Sequence, residues 1–132
     1  MRVLAAIALV PFVGVLAKPP PAWVTTASGR HPLGYSSYCW RSKSAGVCAD
    51  YVAPRCGDGH TPTVRIRSGE TVRFELGFRP SSLSISSRGH TRSLPATQRP
   101  RFRVDRAGVT SLFADTAQNG DASYTACFVF GR

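Results

Sequence analysis

From Thr63 onward the chain alternates apolar and polar residues. Val64 and Ile66 point one way, while Arg65 and Arg67 point the other. Val72, Phe74, Leu76 and Phe78 then alternate with Arg73, Glu75, Gly77 and Arg79. A period of two predicts strands with one buried and one wet face. Ser68-Gly69 interrupts the run, and either a hairpin or a bend between sheets satisfies the break. Leu83 and Ile85 between serines predict a third strand, and Phe102 and Val104 after Arg101 and Arg103 a fourth. Residues 109–114 predict a fifth. After Asn119-Gly120-Asp121, Tyr124, Ala126, Phe128 and Phe130 share one face of a last strand. Thr125, Cys127 and Val129 take the other face, so this strand is expected to be covered on both sides. One or two strands around residues 38–51 bring the total to six to eight. No window keeps a helical period, and Gly and Pro punctuate the chain throughout. The expectation is an all-β antiparallel sandwich, with a small barrel as the competing closure.

The N-terminal region reads differently. Residues 1–17, MRVLAAIALVPFVGVLA, combine a basic Arg2, an apolar run and a small residue at the end, the pattern of a cleaved signal peptide. Pro11 and Gly14 interrupt a stretch already shorter than the ~20 apolar residues a membrane span needs. Lys18-Pro19-Pro20-Pro21 opens an extended, Pro-rich segment. Residues 25–37, rich in Ser, Thr, Gly and Pro, read as loop with at most an edge strand. The resulting division is a signal peptide at 1–17, a Pro-rich spacer at 18–32 and a β-sandwich domain at 33–132.

Composition sharpens this picture. The 132 residues carry 17 Lys+Arg against 7 Asp+Glu, a formal charge of +10. Only Lys18 and Lys43 are lysines. Arg65, Arg67 and Arg73 fall on outward strand positions, while Arg99, Arg101 and Arg103 share parity, with Arg106 following. If those strands are neighbours they build a cationic stripe, suited to forking onto phosphate or carboxylate oxygens. The plain alternative is a solvated strand face, where Arg also discourages edge-to-edge aggregation.

The four cysteines, Cys39, Cys48, Cys56 and Cys127, follow the leader, where an oxidising exterior favours disulfides. Four cysteines allow three pairings. Cys39 and Cys48 flank a plausible turn, which makes a local staple easy and leaves Cys56 for Cys127. CxxC pairs are absent, which weakens a zinc or redox reading.

Catalytic signals are sparse. His60 and His90 each sit in a Gly-His-Thr loop, and two such loops could converge on a metal. A blue-copper centre also needs a free Cys and usually a Met, and the only Met is Met1. A GxSxG elbow is missing. Glu70 and Glu75 have opposite parity, so on one straight strand they would not converge as paired carboxylates. No motif calls for a cofactor.

Three segments carry a family resemblance. Leu33-Gly34-Tyr35-Ser36-Ser37-Tyr38-Cys39-Trp40 is followed by Gly46-Val47-Cys48-Ala49-Asp50-Tyr51. Pro62-Thr63-Val64 runs on to Gly69-Glu70-Thr71-Val72-Arg73-Phe74, and Gly120-Asp121-Ala122-Ser123-Tyr124 leads into the last strand. In order and combination these resemble a family of small secreted bacterial proteins with a Tyr-Cys-Trp and Val-Cys-x-Asp motif. The resemblance implies an immunoglobulin-like β-sandwich and a Cys39–Cys48 pair, and it supplies no catalytic residue. Cys56 and Cys127 fall outside the pattern. Many relatives resemble lipoproteins, and this chain lacks an anchoring Cys after the leader. Trp40 either packs on the neighbouring disulfide as core or joins Tyr35, Tyr38 and Tyr51 in an exposed platform for a sugar or peptide.

These readings converge on a non-catalytic, secreted or envelope-associated binding module. Its Arg face would meet anionic envelope polymers or acidic proteins. Two alternatives stand beside it: a structural accessory domain without a ligand, and a small metal-dependent enzyme using His60 and His90. The first reading predicts one contiguous positive patch, the second dispersed arginines, and the third two histidines close together.

Overall fold

The computed structural model describes residues 18–43 and 45–131, so the leader expected at 1–17 lies outside the described residues. Among the described residues the chain is all-β, with eleven strands in two sheets. They are β1 (Trp23–Thr26), β2 (Gly29–Pro32), β3 (Gly34–Arg41), β4 (Gly46–Ala49), β5 (Thr63–Ile66) and β6 (Thr71–Glu75). Then follow β7 (Ser82–Ser87), β8 (His90–Leu94), β9 (Arg101–Arg103), β10 (Gly108–Thr116) and β11 (Gly120–Phe130). The smaller sheet has the order β2-β1-β6-β9, and the larger β4-β3-β11-β10-β7-β8 with β5 added beside β11. Every pairing is antiparallel except β5 with β11.

The alternation sends Val24, Val72, Phe74 and Phe102 inward from the smaller sheet. Leu83, Ile85, Leu112, Tyr124 and Phe128 come inward from the larger one, and all join one buried core. Each such side chain contributes roughly 1.5–3 kcal/mol by leaving water. The break at Ser68-Gly69 is a bend between sheets rather than a hairpin, since β5 lies in the larger sheet and β6 in the smaller. Glu70 N–H donates to the Arg67 carbonyl at 3.0 Å and Gly69 N–H to the Val104 carbonyl at 2.9 Å, which fixes the turn.

β11 organises the larger sheet. β10 covers one edge from Gly120 to Phe128, while β3 and β5 share the other. Where they meet, a Cβ on Gly34 would stand 2.7 Å from the His60 carbonyl oxygen and 2.8 Å from the Pro62 ring. Backbone and a proline ring cannot yield to it, so Gly34→Ala should cost about 1–3 kcal/mol by overpacking, read as a lowered urea midpoint at unchanged slope. Residues 122–128 are buried on both faces, as the last strand's pattern suggests.

The spacer expected at 18–32 is a correction. Trp23–Thr26 and Gly29–Pro32 are two of the four strands of the smaller sheet, and Val24 is fully buried. The Tyr35 hydroxyl donates to the Pro19 carbonyl at 2.8 Å and the Tyr124 hydroxyl to the Pro20 carbonyl at 2.6 Å. Adjacent Trp23 and Val24 blur the period-two signal, which is why the strand is hard to see in the sequence. The strand count of six to eight is likewise too low, because β1 and β2 fall in the expected spacer and β8 carries little apolar pattern of its own. Both disulfides form: Cys39–Cys48 joins cross-strand partners on β3 and β4, and Cys56–Cys127 ties the loop before β5 to β11.

Candidate functional site

The outer face of the smaller sheet collects arginines by register. Val24, Val72, Phe74 and Phe102 point inward, so their neighbours point out. Thr25 faces Arg30 on β2 and Arg73 on β6, and Arg73 faces Arg101 on β9. One cross-strand row therefore reads Arg30, Thr25, Arg73, Arg101. Thr71 and Arg103 form the next row. The ladder continues past β9, with Phe74 N–H donating to the Pro100 carbonyl and Leu76 N–H to the Gln98 carbonyl, each at 2.9 Å. That continuation carries Arg99 along the same strand edge, beside Glu75.

Glu75 is the acid within these rows. Its carboxylate lies 3.3 Å from Arg30 Nε and 3.5 Å from Arg73 Nη2, and it accepts a hydrogen bond from the Thr25 hydroxyl at 3.3 Å. It orients two guanidinium groups and leaves the face with a positive excess. Arg30 also lies over the Trp23 ring, 4.0 Å from its centroid. Arg73 Nε is buried without a hydrogen-bond partner among the described residues. Thr25, Thr71, Arg73 and Arg101 line a depression of about 300 Å³. Both arginines and both hydroxyls can donate to anionic oxygens.

The remaining predicted arginines lie around this face. Arg103 pairs with Asp105 at 2.9 Å, and its guanidinium reaches the turn at Gly69. Arg106 follows at the sheet edge. Arg65 and Arg67 line a separate depression of about 270 Å³ with Ala27, Ser28 and Glu70, because β5 belongs to the larger sheet. The sequence reading missed Arg30 and Trp23, which it placed in the spacer.

The aromatic residues divide. Trp40 and Tyr38 are buried, and the Trp40 ring packs on Phe78 at 5.1 Å, so Trp40 is core and takes no part in an exposed platform. Tyr35 stacks between Tyr38 at 6.0 Å and Tyr124 at 5.6 Å, with the Lys18 ammonium 4.4 Å over its ring. Tyr51 is exposed and lies 6.2 Å from Tyr38. Tyr35, Tyr51 and Val52 border a cleft of about 530 Å³ against the loop ending at Thr61.

That loop is fixed by Asp58 and by the Cys56–Cys127 bond. The Asp58 carboxylate accepts from the backbone N–H groups of Arg55, His60 and Thr61 and from the Thr61 hydroxyl, all within 2.9 Å. Those bonds, led by Arg55 and His60, hold its pKa far below the usual carboxylate range. Glu70 is lowered for the same reason, by the N–H groups of Ala27 and then Arg67. A depressed folded pKa gives stability that is present above the unfolded value, near pH 4, and is lost as pH falls through the folded value. The urea midpoint should therefore decline below about pH 4, and less steeply in Asp58→Asn. An unchanged acid profile in that variant would contradict the role of Asp58.

His60 borders the tyrosine cleft and His90 a different recess at the β8 edge, so the two loop histidines do not converge. Among the described residues no cluster of three or more His, Cys, Asp or Glu side chains could hold a metal, and no helix is long and apolar enough to cross a membrane. No family model, curated protein or solved structure matches the chain.

Proposed function

We propose that the protein is a non-catalytic binding module, secreted or associated with a cell envelope, whose smaller sheet engages anionic polymers. The observation that carries this reading is the in-register pairing of Arg73 with Arg101, extended by Arg30 in the same row and Arg103 in the next. Like charges directly opposite across strands are destabilising. Two carboxylates, Glu75 against Arg30 and Arg73 and Asp105 against Arg103, offset only part of that cost. A surface held at this charge density gains free energy when phosphate or carboxylate groups displace counterions from it. Guanidinium groups spaced across three strands suit an extended polymer better than a compact metabolite. The two disulfides and the leader pattern at 1–17 support an extracytoplasmic setting. The resemblance to small secreted immunoglobulin-like proteins supports the same setting.

Affinity for long-chain polyphosphate, measured across a salt series, tests this. The triple variant Arg73→Gln, Arg101→Gln, Arg103→Gln should lose at least about tenfold in affinity at low salt and show a flatter dependence on salt. Arg41→Gln with Arg79→Gln, exposed arginines on β3 and after Phe78, should change much less. Equal losses per charge removed in the two variants would show that only net charge matters, and would overturn the site.

A further inference from the structure

The open edge between β8 and β9 holds a second, smaller site that goes beyond the polymer-binding reading. The β7–β8 register pairs Ile85 with Arg92 and Ser87 with His90. Ile85 is almost fully buried, so its register partner Arg92, and His90 two residues before it, stand on the inner side of the sheet at its open edge, where both side chains remain exposed. Arg92 lies over the Phe102 ring, 4.9 Å from its centroid. From the facing side come Phe102, Asp105 and Arg106, and together these residues border an open recess of about 220 Å³.

An inward charge on an edge strand guards against sheet extension, and that alone would account for Arg92. It does not account for His90 on the same strand, nor for Arg106, which borders the recess from the connection between β9 and β10. Among the described residues, His90, Arg92 and Arg106 have no carboxylate partner, while the nearby Asp105 is engaged by Arg103. The recess thus combines an apolar floor of Ile85 and Phe102 with three basic side chains that lack a carboxylate partner, the Ser87 hydroxyl, and the Asp105 carboxylate, whose charge Arg103 offsets at 2.9 Å.

We propose that this recess binds the phosphate monoester end of a small organic ligand, with the ligand's apolar body against Phe102 and Ile85. A carboxylate offers two oxygens and one charge. A phosphate monoester offers three acceptor oxygens and close to two charges, which matches this larger set of donors. The volume lies below the ~300–1,000 Å³ of sites for drug-sized molecules, and suits a single head group with a short apolar substituent.

Titration of the protein with phenyl phosphate, followed by amide NMR shifts and by calorimetry, tests the proposal. The expected result is saturable binding at one site, with shifts centred on Ile85, His90, Arg92 and Phe102. Benzoate and inorganic phosphate should each bind at least about tenfold more weakly, since one carries a single charge on two oxygens and the other lacks the apolar body. Arg92→Gln, His90→Gln and Arg106→Gln should each weaken phenyl phosphate by about tenfold. Having three independent variants keeps the test valid if loss of the Arg92–Phe102 contact disturbs folding. Arg41→Gln with Arg79→Gln should leave the affinity unchanged. Absence of saturable binding, shifts centred elsewhere, or indifference to His90→Gln and Arg106→Gln would overturn the proposal. Polyphosphate affinity that survives Arg92→Gln would show that the two sites stand or fall separately.

Discussion

A chain shortened to begin at residue 33 is expected to lose cooperative folding. The deletion removes β1 and β2, half the strands of the smaller sheet, and exposes the β6 edge that pairs with β1 from Trp23 to Thr25. It removes Val24 and Ala22, both almost fully buried, and Pro19 from the interior. It also leaves the Tyr35 and Tyr124 hydroxyls without the Pro19 and Pro20 carbonyls. Lost burial of roughly 1.5–3 kcal/mol for Val24 alone, with a cost of about 1–3 kcal/mol for each unpaired buried hydroxyl, approaches the whole stability of a small domain, about 5–15 kcal/mol. Thermal melts by circular dichroism should show no sigmoidal transition in the shortened chain. Two milder variants probe the same contacts. Tyr124→Phe should cost about 1–3 kcal/mol by leaving the Pro20 carbonyl unmatched. Gly77→Ala should be comparably harmful, since its Cβ would stand 2.6 Å from the Pro20 ring. A shortened chain that unfolds cooperatively near the full-length midpoint would restore the spacer reading of these residues.

Removing the Cys56–Cys127 bond is the second large effect. Its residues are 71 apart in sequence, so the loop-entropy model assigns it about 4 kcal/mol. The Cys39–Cys48 bond spans only 9 residues, and the same model assigns it about 2.5 kcal/mol. Those two are already cross-strand partners, so register does part of the staple's work. Cys56→Ser with Cys127→Ala should therefore lower the unfolding free energy more than Cys39→Ser with Cys48→Ser, as measured in urea. It should also loosen the loop around Asp58, which walls the tyrosine cleft. Equal losses would mean that Asp58 and the β5–β11 pairing already hold that loop without the bond.

The strands with strong alternation were legible in the sequence. Val64 and Ile66, Val72 and Phe74, Leu83 and Ile85 each show the period of two and each point inward. The two-sided burial of β11 was legible too, because Tyr124 to Phe128 have no wet position between them. What stayed hidden had a physical cause in each case. At β1, the outward Trp23 is as apolar as the inward Val24, so the period vanishes. Arg30 was lost with it, although it shares a row with Arg73 and Arg101. In β8 the inward positions are His90 and Arg92, so a polar pattern concealed a strand. Parity places Arg101 and Arg103 on one side of β9. Parity alone could not separate Arg65 and Arg67 from them, because it does not say which sheet a strand joins. Trp40 shows the converse limit, since a motif beside a cysteine does not reveal that its ring packs on Phe78.

Amide shift mapping with a defined polyphosphate locates anion binding most directly. The largest shifts should fall on Thr25, Arg30, Thr71, Arg73 and Arg101, the outer rows of the smaller sheet, and should collapse as salt is raised. Largest shifts at Tyr51, Val52 and His60 around the tyrosine cleft, or shifts spread evenly over all exposed arginines, would contradict that location.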